Sequence, residues 1–337
     1  MEDNMDLQTN YLGIKLKNPL VVSSCPLSEK LENIKAMEQA GAAAIVMYSV
    51  FEEEICYDDD MMDCYLHYGT DQFVEALTYF PMFSKQKNFL SNYLCNLKQA
   101  VSAVNIPIIG SLNVTTVSKW LDYAIQMQDT GIQALELNLY YPVTNIQSSD
   151  VIEKYYLNTV QELKSKLRIP LVVKLSPFFT SINEMAMKLT QIGGANGLVI
   201  FDRFYYPDFD IYNLKLDSAL QLSSSFEARL PLRWISILYN KLPASIAAST
   251  GVHNHTDLIK YILAGADVVM CASCLMKHGI PYLGCLLAGL ENWLKNNKYK
   301  SIKEIRGLMS KDNVTNPEEL DKLPYMRILK NSFITQY

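Results

Sequence analysis

Polar side chains stand at the ends of apolar, strand-like runs in this sequence of 337 residues, and Lys174 is the most informative of them. The run Pro170-Leu171-Val172-Val173 is apolar and ends in this ammonium group, which must face solvent, an anion or an electron-rich ring. Small, amide and hydroxyl residues follow the other runs: Ser23, Ser24, Cys25, Tyr48, Ser49, Leu112, Asn113, Asn138, Phe201, Asp202, Ser249, Thr250, Gly251, Ala272 and Ser273. Because the set lacks a His or Glu cluster for acid–base or metal chemistry, it predicts binding of a large polar ligand.

Two consecutive strand ends carry a pattern that suits a phosphate group. Ser249-Thr250-Gly251 and Ala272-Ser273 each follow an apolar run and precede a predicted helix. Backbone N–H groups and helix dipoles receive dianions at such positions, and (β/α)8 barrels commonly bind phosphate there. A glycine after a strand is also an ordinary turn residue, so the pairing of two neighbouring ends carries this interpretation. His253 is either a further donor to phosphate or a surface residue at a helix start.

Four junctions of one type indicate the helices and strands that position these residues. Each junction consists of a helix-like run, a glycine with small neighbours, and a short apolar, strand-like run. The glycines are Gly41, Gly131, Gly194 and Gly265. Glycine can cap a helix with a positive φ, and a short apolar run suits a strand buried on both faces. Eight such units can be counted along the chain, which predicts an α/β fold, a (β/α)8 TIM barrel, with its chemistry at the carboxyl ends of the strands.

The predicted barrel strands cover residues 19–23, 44–47, 106–112, 134–138, 170–174, 198–201, 244–248 and 267–271. An alternating segment from Tyr11 to Lys17 predicts an N-terminal hairpin that closes the barrel floor. Two tracts too long for simple loops, Phe51 to Lys87 and Asp202 to Leu230, predict insertions after strands 2 and 6. We expect residues 1–337 to form a single domain, with about 301–337 as a C-terminal extension.

Composition limits the classes of partner. The formal net charge is −5 and the pI is near 5.5, which gives no long-range attraction to nucleic acid or to an anionic membrane. The first residues, Met1-Glu2-Asp3-Asn4, resemble neither a signal peptide nor a membrane span, so a cytoplasmic protein is expected. The seven cysteines are an odd number spread along the chain, which argues against a disulfide framework. Cys271 and Cys274 have CxxC spacing but no companion pair, so no metal ligand is predicted.

Four motifs recur in order along the chain: Asn18-Pro19; Glu136-Leu137-Asn138-Leu139 followed by Pro142; Val173-Lys174-Leu175-Ser176-Pro177; and the tract from Ser249-Thr250-Gly251 to Ala264-Gly265-Ala266. Together they resemble the dihydroorotate dehydrogenase family, closest to its soluble class 1 members and to the related flavin domain of dihydropyrimidine dehydrogenases. The resemblance extends from about Tyr11 to about Lys300. It implies an FMN-containing (β/α)8 barrel that forms a homodimer.

The resemblance also implies residue roles. In that family the lysine matching Lys174 contacts the flavin, and asparagines matching Asn113 and Asn138 hydrogen-bond flavin or substrate. The loops after strands 7 and 8 take the FMN phosphate. Such roles fit the residue types, since a cation near the N1–C2=O end of the ring stabilises the anionic reduced flavin. The predicted cofactor-binding residues are Ser23, Ser24, Ser49, Asn113, Asn138, Lys174, Asp202, Ser249, Thr250, Gly251, Ala272 and Ser273.

Several positions depart from the family pattern, and they concern the substrate more than the flavin. Tyr141 occupies the place of the family's Cys or Ser base, and a phenol with a pKa near 10 is a poor base at neutral pH. Tyr141 and Cys25, a thiol at the end of the first strand, are the candidate catalytic residues. The other departures are Val143 for an asparagine, Met47 for a lysine, Asp202 for an asparagine, and Thr250-Gly251 for Gly-Gly.

The resemblance implies an enzyme that oxidises dihydroorotate to orotate in pyrimidine biosynthesis, with hydride passing between substrate carbon and flavin N5. One alternative is a flavin-binding protein that does not turn over dihydroorotate and acts on another substrate or in electron transfer or regulation. A second alternative is a colourless phosphate-binding barrel that uses Lys174 as a Schiff-base amine. A visible spectrum, recorded before and after dihydroorotate is added without oxygen, distinguishes the three hypotheses.

Overall fold

The computed structural model describes residues 5–51, 89–114, 120–139, 148–203, 208–217 and 221–321. The strands are β1 (Thr9–Tyr11), β2 (Ile14–Leu16), β3 (Leu20–Val22), β4 (Ala44–Val46), β5 (Val50–Phe51), β6 (Ile108–Val114), β7 (Ala134–Leu139), β8 (Leu171–Leu175), β9 (Gly197–Ile200), β10 (Asp208–Asp210), β11 (Lys215–Asp217), β12 (Ser245–Ala248) and β13 (Val268–Cys271). The α-helices span Leu31–Gln39, Phe89–Ala103, Trp120–Gln128, Ser149–Lys166, Ile182–Met187, Arg229–Leu238, His255–Ala264, Ser273–His278, Tyr282–Asn296, Ile302–Ile305 and Glu318–Asp321.

Eight of these strands close into a parallel barrel, which confirms the predicted (β/α)8 fold. Each barrel strand pairs in parallel with its neighbour in the order β4, β3, β13, β12, β9, β8, β7, β6, and a β4–β6 pairing completes the ring. The short strand β5 continues the chain after β4 and pairs with the upper end of β6. Helices follow the barrel strands and pack their apolar faces against the outside of the sheet, as the buried residues of both layers show.

Alternation along each strand divides the core into two parts. Side chains such as Val21, Val46, Ile109, Ala134 and Val172 form a cluster inside the barrel. Their sequence neighbours belong to the larger cluster between the sheet and the helices. Because successive side chains of a strand point to opposite faces, a polar residue two positions after an interior residue also points inward, nearer the carboxyl end.

The floor of the barrel is closed by the hairpin of β1 and β2, as predicted. The two strands are antiparallel, with Tyr11 opposite Ile14. Tyr11, Leu12 and Leu16 are buried and join the cluster inside the barrel. The hairpin is also anchored by hydrogen bonds, since the Leu12 N–H donates to Ser245 Oγ at 3.0 Å. The opposite end of the barrel is therefore the one available to a ligand.

Element boundaries differ from the sequence predictions at a few places. Strand β6 begins after Pro107, because proline has no N–H for the ladder, and runs to Val114 instead of Leu112. The helix predicted over 232–240 spans Arg229–Leu238 and follows a 3₁₀ turn over Ser225–Ala228. The helix predicted over 182–192 changes to a π-helical turn at Lys188–Ile192. None of these shifts moves a predicted site residue from its strand end.

The two predicted insertions fall partly outside the described residues. Within the second, β10 and β11 form a separate antiparallel hairpin. Residues 302–305 and 318–321 are helical in the predicted C-terminal extension, and this segment is tied to the barrel by backbone bonds such as that from Met309 N to Leu263 O at 2.8 Å. The prediction of a single domain over 1–337 stays a prediction. In the described ranges, no helix has the length and apolarity that a bilayer span requires.

Candidate active site

One cavity of about 460 Å³ lies at the carboxyl ends of the barrel strands, and a ligand of nucleotide size fits such a volume. It is lined by all of the predicted cofactor-binding residues, which are Ser23, Ser24, Ser49, Asn113, Asn138, Lys174, Asp202, Ser249, Thr250, Gly251, Ala272 and Ser273. The structure thus brings together residues that are spread over 250 positions of sequence. Their binding of a cofactor stays a prediction.

Strand register places three of these residues in a row across one wall. Asn113 of β6 is opposite Asn138 of β7, and Asn138 is opposite Lys174 of β8. All three follow interior residues by even numbers of positions, so that their side chains point to the barrel axis. An amide, an amide and an ammonium group therefore stand side by side at the same height in the cavity wall.

Three serines and one amide form a hydrogen-bond network beside this row. The Oγ atoms of Ser24 and Ser49 are 3.0 Å apart, and those of Ser49 and Ser111 are 2.8 Å apart. Asn138 Nδ2 donates to Ser111 Oγ at 3.0 Å. The Asn138 Oδ1 atom is buried and has no hydrogen-bond partner among the described residues. A buried acceptor left over in a cavity wall suits a ligand that brings a ring N–H.

Lys174 meets an anion, which is one of the three environments that its sequence position predicted. Its Nζ lies 2.9 Å from Glu136 Oε1, and both side chains are buried. Asp202 Oδ1 lies farther away, at 4.0 Å from the same Nζ. Glu136 itself is below the cavity wall, where Ser111 Oγ donates to its Oε1 at 3.5 Å.

The loop after β12 has the backbone geometry of an anion seat. Thr250 and Gly251 both have positive φ, at 73° and 77°. The N–H groups of these two residues donate to no other described residue, while Thr250 Oγ1 donates to Phe201 O at 3.3 Å. Successive backbone N–H groups in a turn can form a concavity for an anion. This arrangement fits the phosphate group that the sequence predicts here.

A serine and a histidine lie at the same end of the cavity. Ser223, which lines it, has its Oγ 3.0 Å from His253 Nε2, and its N–H donates to Ser273 Oγ at 3.3 Å. Burial lowers the pKa of His253, which favours the neutral ring at pH 7. His253 is thus half-buried and contacts the cavity wall through Ser223. The sequence allowed either a donor to phosphate or a surface residue, and the observed position lies between these two alternatives.

Arg203 is a second cation in the cavity lining, and it is also paired. Its Nε donates to Glu227 Oε2 at 2.8 Å, and its Nη1 donates to Gln221 O. The guanidinium lowers the pKa of Glu227 and so keeps that carboxylate ionised, against the opposing effect of burial. The pair links the end of β9 to the turn before the helix Arg229–Leu238, and it closes one side of the cavity.

Of the two candidate catalytic residues, Tyr141 and Cys25, the structure describes only Cys25. Tyr141 and the neighbouring Val143 lie outside the described residues. Cys25 is buried behind the wall and is not a lining residue, and burial raises the pKa of its thiol. A raised pKa favours the protonated thiol, which is the wrong form for a base. Met47, which replaces a family lysine, is fully buried in the apolar core and contributes no charge.

Sequence reasoning missed several residues that shape the site. Glu136 and Ser111 are the most important, and Ser223 and Val252 also line the cavity. A signal existed for the first two, because Glu136 precedes Asn138 by two positions and Ser111 precedes Asn113 by two. The period of two in strands places each pair on the same face. No comparable local signal marks Ser223, which lies in an insertion.

A closed barrel of eight parallel strands, with a polar cavity at their carboxyl ends and paired cations in its wall, defines the class of (β/α)8-barrel enzymes. The family model described as dihydroorotate dehydrogenase matches residues 85–294 of this chain, which is more than half of it. The chain belongs to the dihydroorotate dehydrogenase family, and it is therefore an oxidoreductase of that type.

Curated relatives match along nearly their full length. The "Dihydroorotate dehydrogenase B (NAD(+)), catalytic subunit" of Thermoplasma volcanium is 27% identical over 316 residues, which cover 91% of this chain and 99% of the relative. The proteins of the same name from Thermoplasma acidophilum and Endomicrobium trichonymphae are each 25% identical over 313 residues. These matches cover 90% and 91% of this chain, and 98% of each relative.

Proposed function

We propose that this chain is an FMN-dependent oxidoreductase that oxidises dihydroorotate to orotate in pyrimidine biosynthesis. The single observation that carries the proposal is the convergence of Asn113, Asn138 and Lys174 with the Thr250-Gly251 loop in one cavity. The row of amides and ammonium suits the polar edge of a flavin ring, and the loop suits its phosphate. Membership of the dihydroorotate dehydrogenase family supports the choice of reaction.

The residues present fit FMN at the level of their chemistry. The backbone N–H groups of Thr250 and Gly251, which have no acceptor among the described residues, supply donors to a phosphate. The unpartnered Asn138 Oδ1 supplies an acceptor for a ring N–H, and Lys174 supplies positive charge. Bound FMN would supply the hydride acceptor for a substrate C–H bond.

The protein residues have three tasks in this reaction. The row from Asn113 to Lys174 orients the cofactor, and the ion pairs of Lys174 and Arg203 fix both cations without mobile counterions. A base must also take the proton that leaves the neighbouring substrate carbon. Tyr141 occupies the sequence position of that base, and its assignment as the proton acceptor remains part of this proposal.

A second candidate function is favoured by one observation at the predicted substrate side. Met47 is buried and apolar where family members carry a lysine, so the chain lacks that partner for a substrate carboxylate. The second candidate is accordingly a flavoprotein that does not turn over dihydroorotate and acts on another substrate.

Spectroscopy of the purified protein tests both candidates. We expect a yellow protein that releases FMN on denaturation and loses its absorbance in the visible when dihydroorotate is added without oxygen. A yellow protein that dihydroorotate fails to bleach, but that dithionite bleaches, would support the second candidate. A colourless protein that cannot be reconstituted with FMN would overturn both. Borohydride trapping of a carbonyl compound on Lys174 would then favour the Schiff-base alternative.

We also propose that two copies of this chain associate and that the protein is cytoplasmic. The family resemblance supports the homodimer, and an exposed apolar hairpin supplies a surface for it. The names of the curated relatives refer to a catalytic subunit, so those proteins work with a further chain. A reducing compartment is consistent with the five described cysteines, all of which are free thiols.

A further inference from the structure

Glu136 is a carboxylate in the interior of the barrel, and neither the sequence predictions nor the proposed reaction gives it a role. It lies in β7 between Leu135 and Leu137 and has no solvent exposure. Burying an ionised carboxylate is costly unless it is paired and hydrogen-bonded. A group of this kind, placed directly below the wall of a cavity, requires a physical explanation.

The contacts of Glu136 point upward to the cavity wall. Its Oε1 lies 2.9 Å from Lys174 Nζ and accepts a hydrogen bond from Ser111 Oγ at 3.5 Å. Its Oε2 is buried and has no hydrogen-bond partner among the described residues. Lys174 thus lines the cavity with its ammonium held from below by a carboxylate.

The same carboxylate is also linked to the Asn138 amide, through Ser111. Since a carboxylate can only accept, the serine is the donor in the 3.5 Å contact between Ser111 Oγ and Glu136 Oε1, while Ser49 Oγ lies closer to the same hydroxyl, at 2.8 Å. The Ser111 oxygen then accepts from Asn138 Nδ2 at 3.0 Å. One buried anion thus pairs with the ammonium at 2.9 Å and is linked through Ser111 to the neighbouring amide.

We propose that Glu136 is a positioning residue that holds Lys174 and offsets its charge, and that it thereby lowers the reduction potential of the bound flavin. This inference rests on the proposed binding of FMN. A lone ammonium beside the ring would favour the reduced anionic flavin over the oxidised neutral form. An anion at 2.9 Å from the same ammonium opposes that preference, because the two fields largely cancel at the ring.

The test is a comparison of wild type with Glu136→Gln. Glutamine keeps an acceptor oxygen for Lys174 and Ser111 but removes the negative charge, so the ammonium acts on the flavin without its counterion. We expect the variant to bind reduced FMN, relative to oxidised FMN, about tenfold more tightly than wild type, which is a rise of about 30 mV in the two-electron midpoint potential. The potential is measured by dye equilibration during anaerobic reduction, and no substrate is required.

Two further variants separate charge from packing. Glu136→Asp keeps the charge on a shorter side chain, and its potential should return close to that of wild type. Glu153→Gln is the matched control, because Glu153 Oε2 lies 2.9 Å from Lys188 Nζ in a pair outside the cavity. This control should leave the potential unchanged.

A substitution in the core can prevent folding, and a more exposed carboxylate then provides the test. Asp202 Oδ1 lies 4.0 Å from Lys174 Nζ, and its side chain is 38% exposed. Asp202→Asn should shift the potential in the same direction as Glu136→Gln but by less, because solvent already screens this charge.

The outcomes distinguish this inference from the proposed function. If wild type takes up no FMN, the proposed function fails first. If wild type binds FMN but its potential stays the same in Glu136→Gln and Asp202→Asn, Glu136 is a structural residue and the inference is overturned. An equal shift in Glu136→Asp and Glu136→Gln would likewise assign the effect to packing instead of charge.

Discussion

At the scale of single residues, buried hydroxyl groups decide how firmly the site is held. Tyr261 is fully buried, and its hydroxyl donates to Thr250 O at 2.6 Å and approaches Ser249 O at 3.4 Å. Burial raises the pKa of Tyr261, so the hydroxyl keeps its proton and remains a donor. The carbonyls of Ser249 and Thr250 thus face this phenol, and the N–H groups of Thr250 and Gly251 have no acceptor among the described residues. Tyr261 touches neither cofactor nor substrate in this arrangement and acts through the loop.

Tyr261→Phe is predicted to weaken FMN binding. The change leaves Thr250 O buried without its donor and costs about 1–2 kcal/mol of the free energy of unfolding. Because the loop then loses its fixed orientation, we expect the Kd for FMN to rise about tenfold, which corresponds to about 1.4 kcal/mol. Fluorescence titration of apoprotein with FMN and urea unfolding supply the two measurements.

Tyr11→Phe is the matched control for this substitution. Tyr11 is equally buried, but its hydroxyl has no hydrogen-bond partner among the described residues. Removing an unsatisfied buried hydroxyl should leave stability unchanged or raise it slightly. An FMN affinity that falls equally in both variants would contradict the role assigned to Tyr261.

At the scale of elements, the loop after β12 packs tightly on the turn before the helix Arg229–Leu238. A Cβ atom on Gly251 would lie 2.5 Å from the backbone N of Ala228, and the φ of Gly251 is +77°. Both the left-handed conformation and the close approach therefore require glycine at this position. The predicted phosphate loop and the second insertion are thus coupled through direct backbone contact.

Gly251→Ala is predicted to destabilise the fold and to release FMN. The left-handed conformation costs alanine about 1–2 kcal/mol, and the clash with Ala228 adds about 1–3 kcal/mol. We expect a lower urea midpoint and a purified protein with a reduced ratio of FMN to polypeptide.

Gly13→Ala separates the two causes. Gly13 has a similar φ of +82°, but a Cβ there would meet no atom within 4 Å. This variant should lose only the conformational part of the stability and should keep its FMN. Equal losses of stability and FMN in both variants would exclude the contact with Ala228 as the cause.

At the scale of the whole molecule, the hairpin of β10 and β11 exposes an apolar surface of five residues: Phe209, Ile211, Tyr212, Leu214 and Leu216. Tyr212 and Leu214 are 91% and 89% exposed. The turn is already ordered, since Asp210 Oδ1 accepts from Tyr212 N at 3.0 Å and from Asn213 N at 3.1 Å. A group of exposed large apolar side chains on one hairpin is typical of an interface.

The charge pattern of β11 favours a second copy of this chain as the partner. In the described part of the chain, each of the two strands pairs with the other along one edge and with nothing along its outer edge. The sequence Lys215-Leu216-Asp217 reads positive, apolar, negative. Two such strands in antiparallel pairing about Leu216 bring unlike charges opposite each other, whereas Asp208-Phe209-Asp210 would bring like charges together.

We expect light scattering to give a dimer for wild type and a weakened dimer for Lys215→Glu, because like charges then meet at both ends of the pairing. The double variant Lys215→Asp, Asp217→Lys restores the alternation and should restore the dimer. Lys98→Glu, on an exposed helix position elsewhere, makes the same change of charge and should have no effect. A wild type that stays monomeric, or a double variant that stays dissociated, would overturn this pairing.

The fold could be predicted from the sequence because its signals are local. An apolar run between turn residues, repeated after each helix, specifies a buried parallel strand, and eight of them specify closure. The carboxyl ends of parallel strands meet at one face, so the residues that follow the runs could be collected into a site before their contacts were known. Asn113, Asn138 and Lys174 lie side by side for this reason.

The partners of these residues depended on tertiary structure. The sequence allowed Lys174 to face solvent, an anion or a ring, and the choice of Glu136 follows from the register of β7 against β8 and from the depth of each side chain in the barrel. Arg203 and Glu227 are joined across an insertion for which the sequence gives no register. The sequence by itself thus determined the barrel and which residues line the cavity at the carboxyl ends of its strands. The pairing of charges in the barrel was decided by tertiary structure, because distances between strands are set by closure of the whole ring and not by any local pattern.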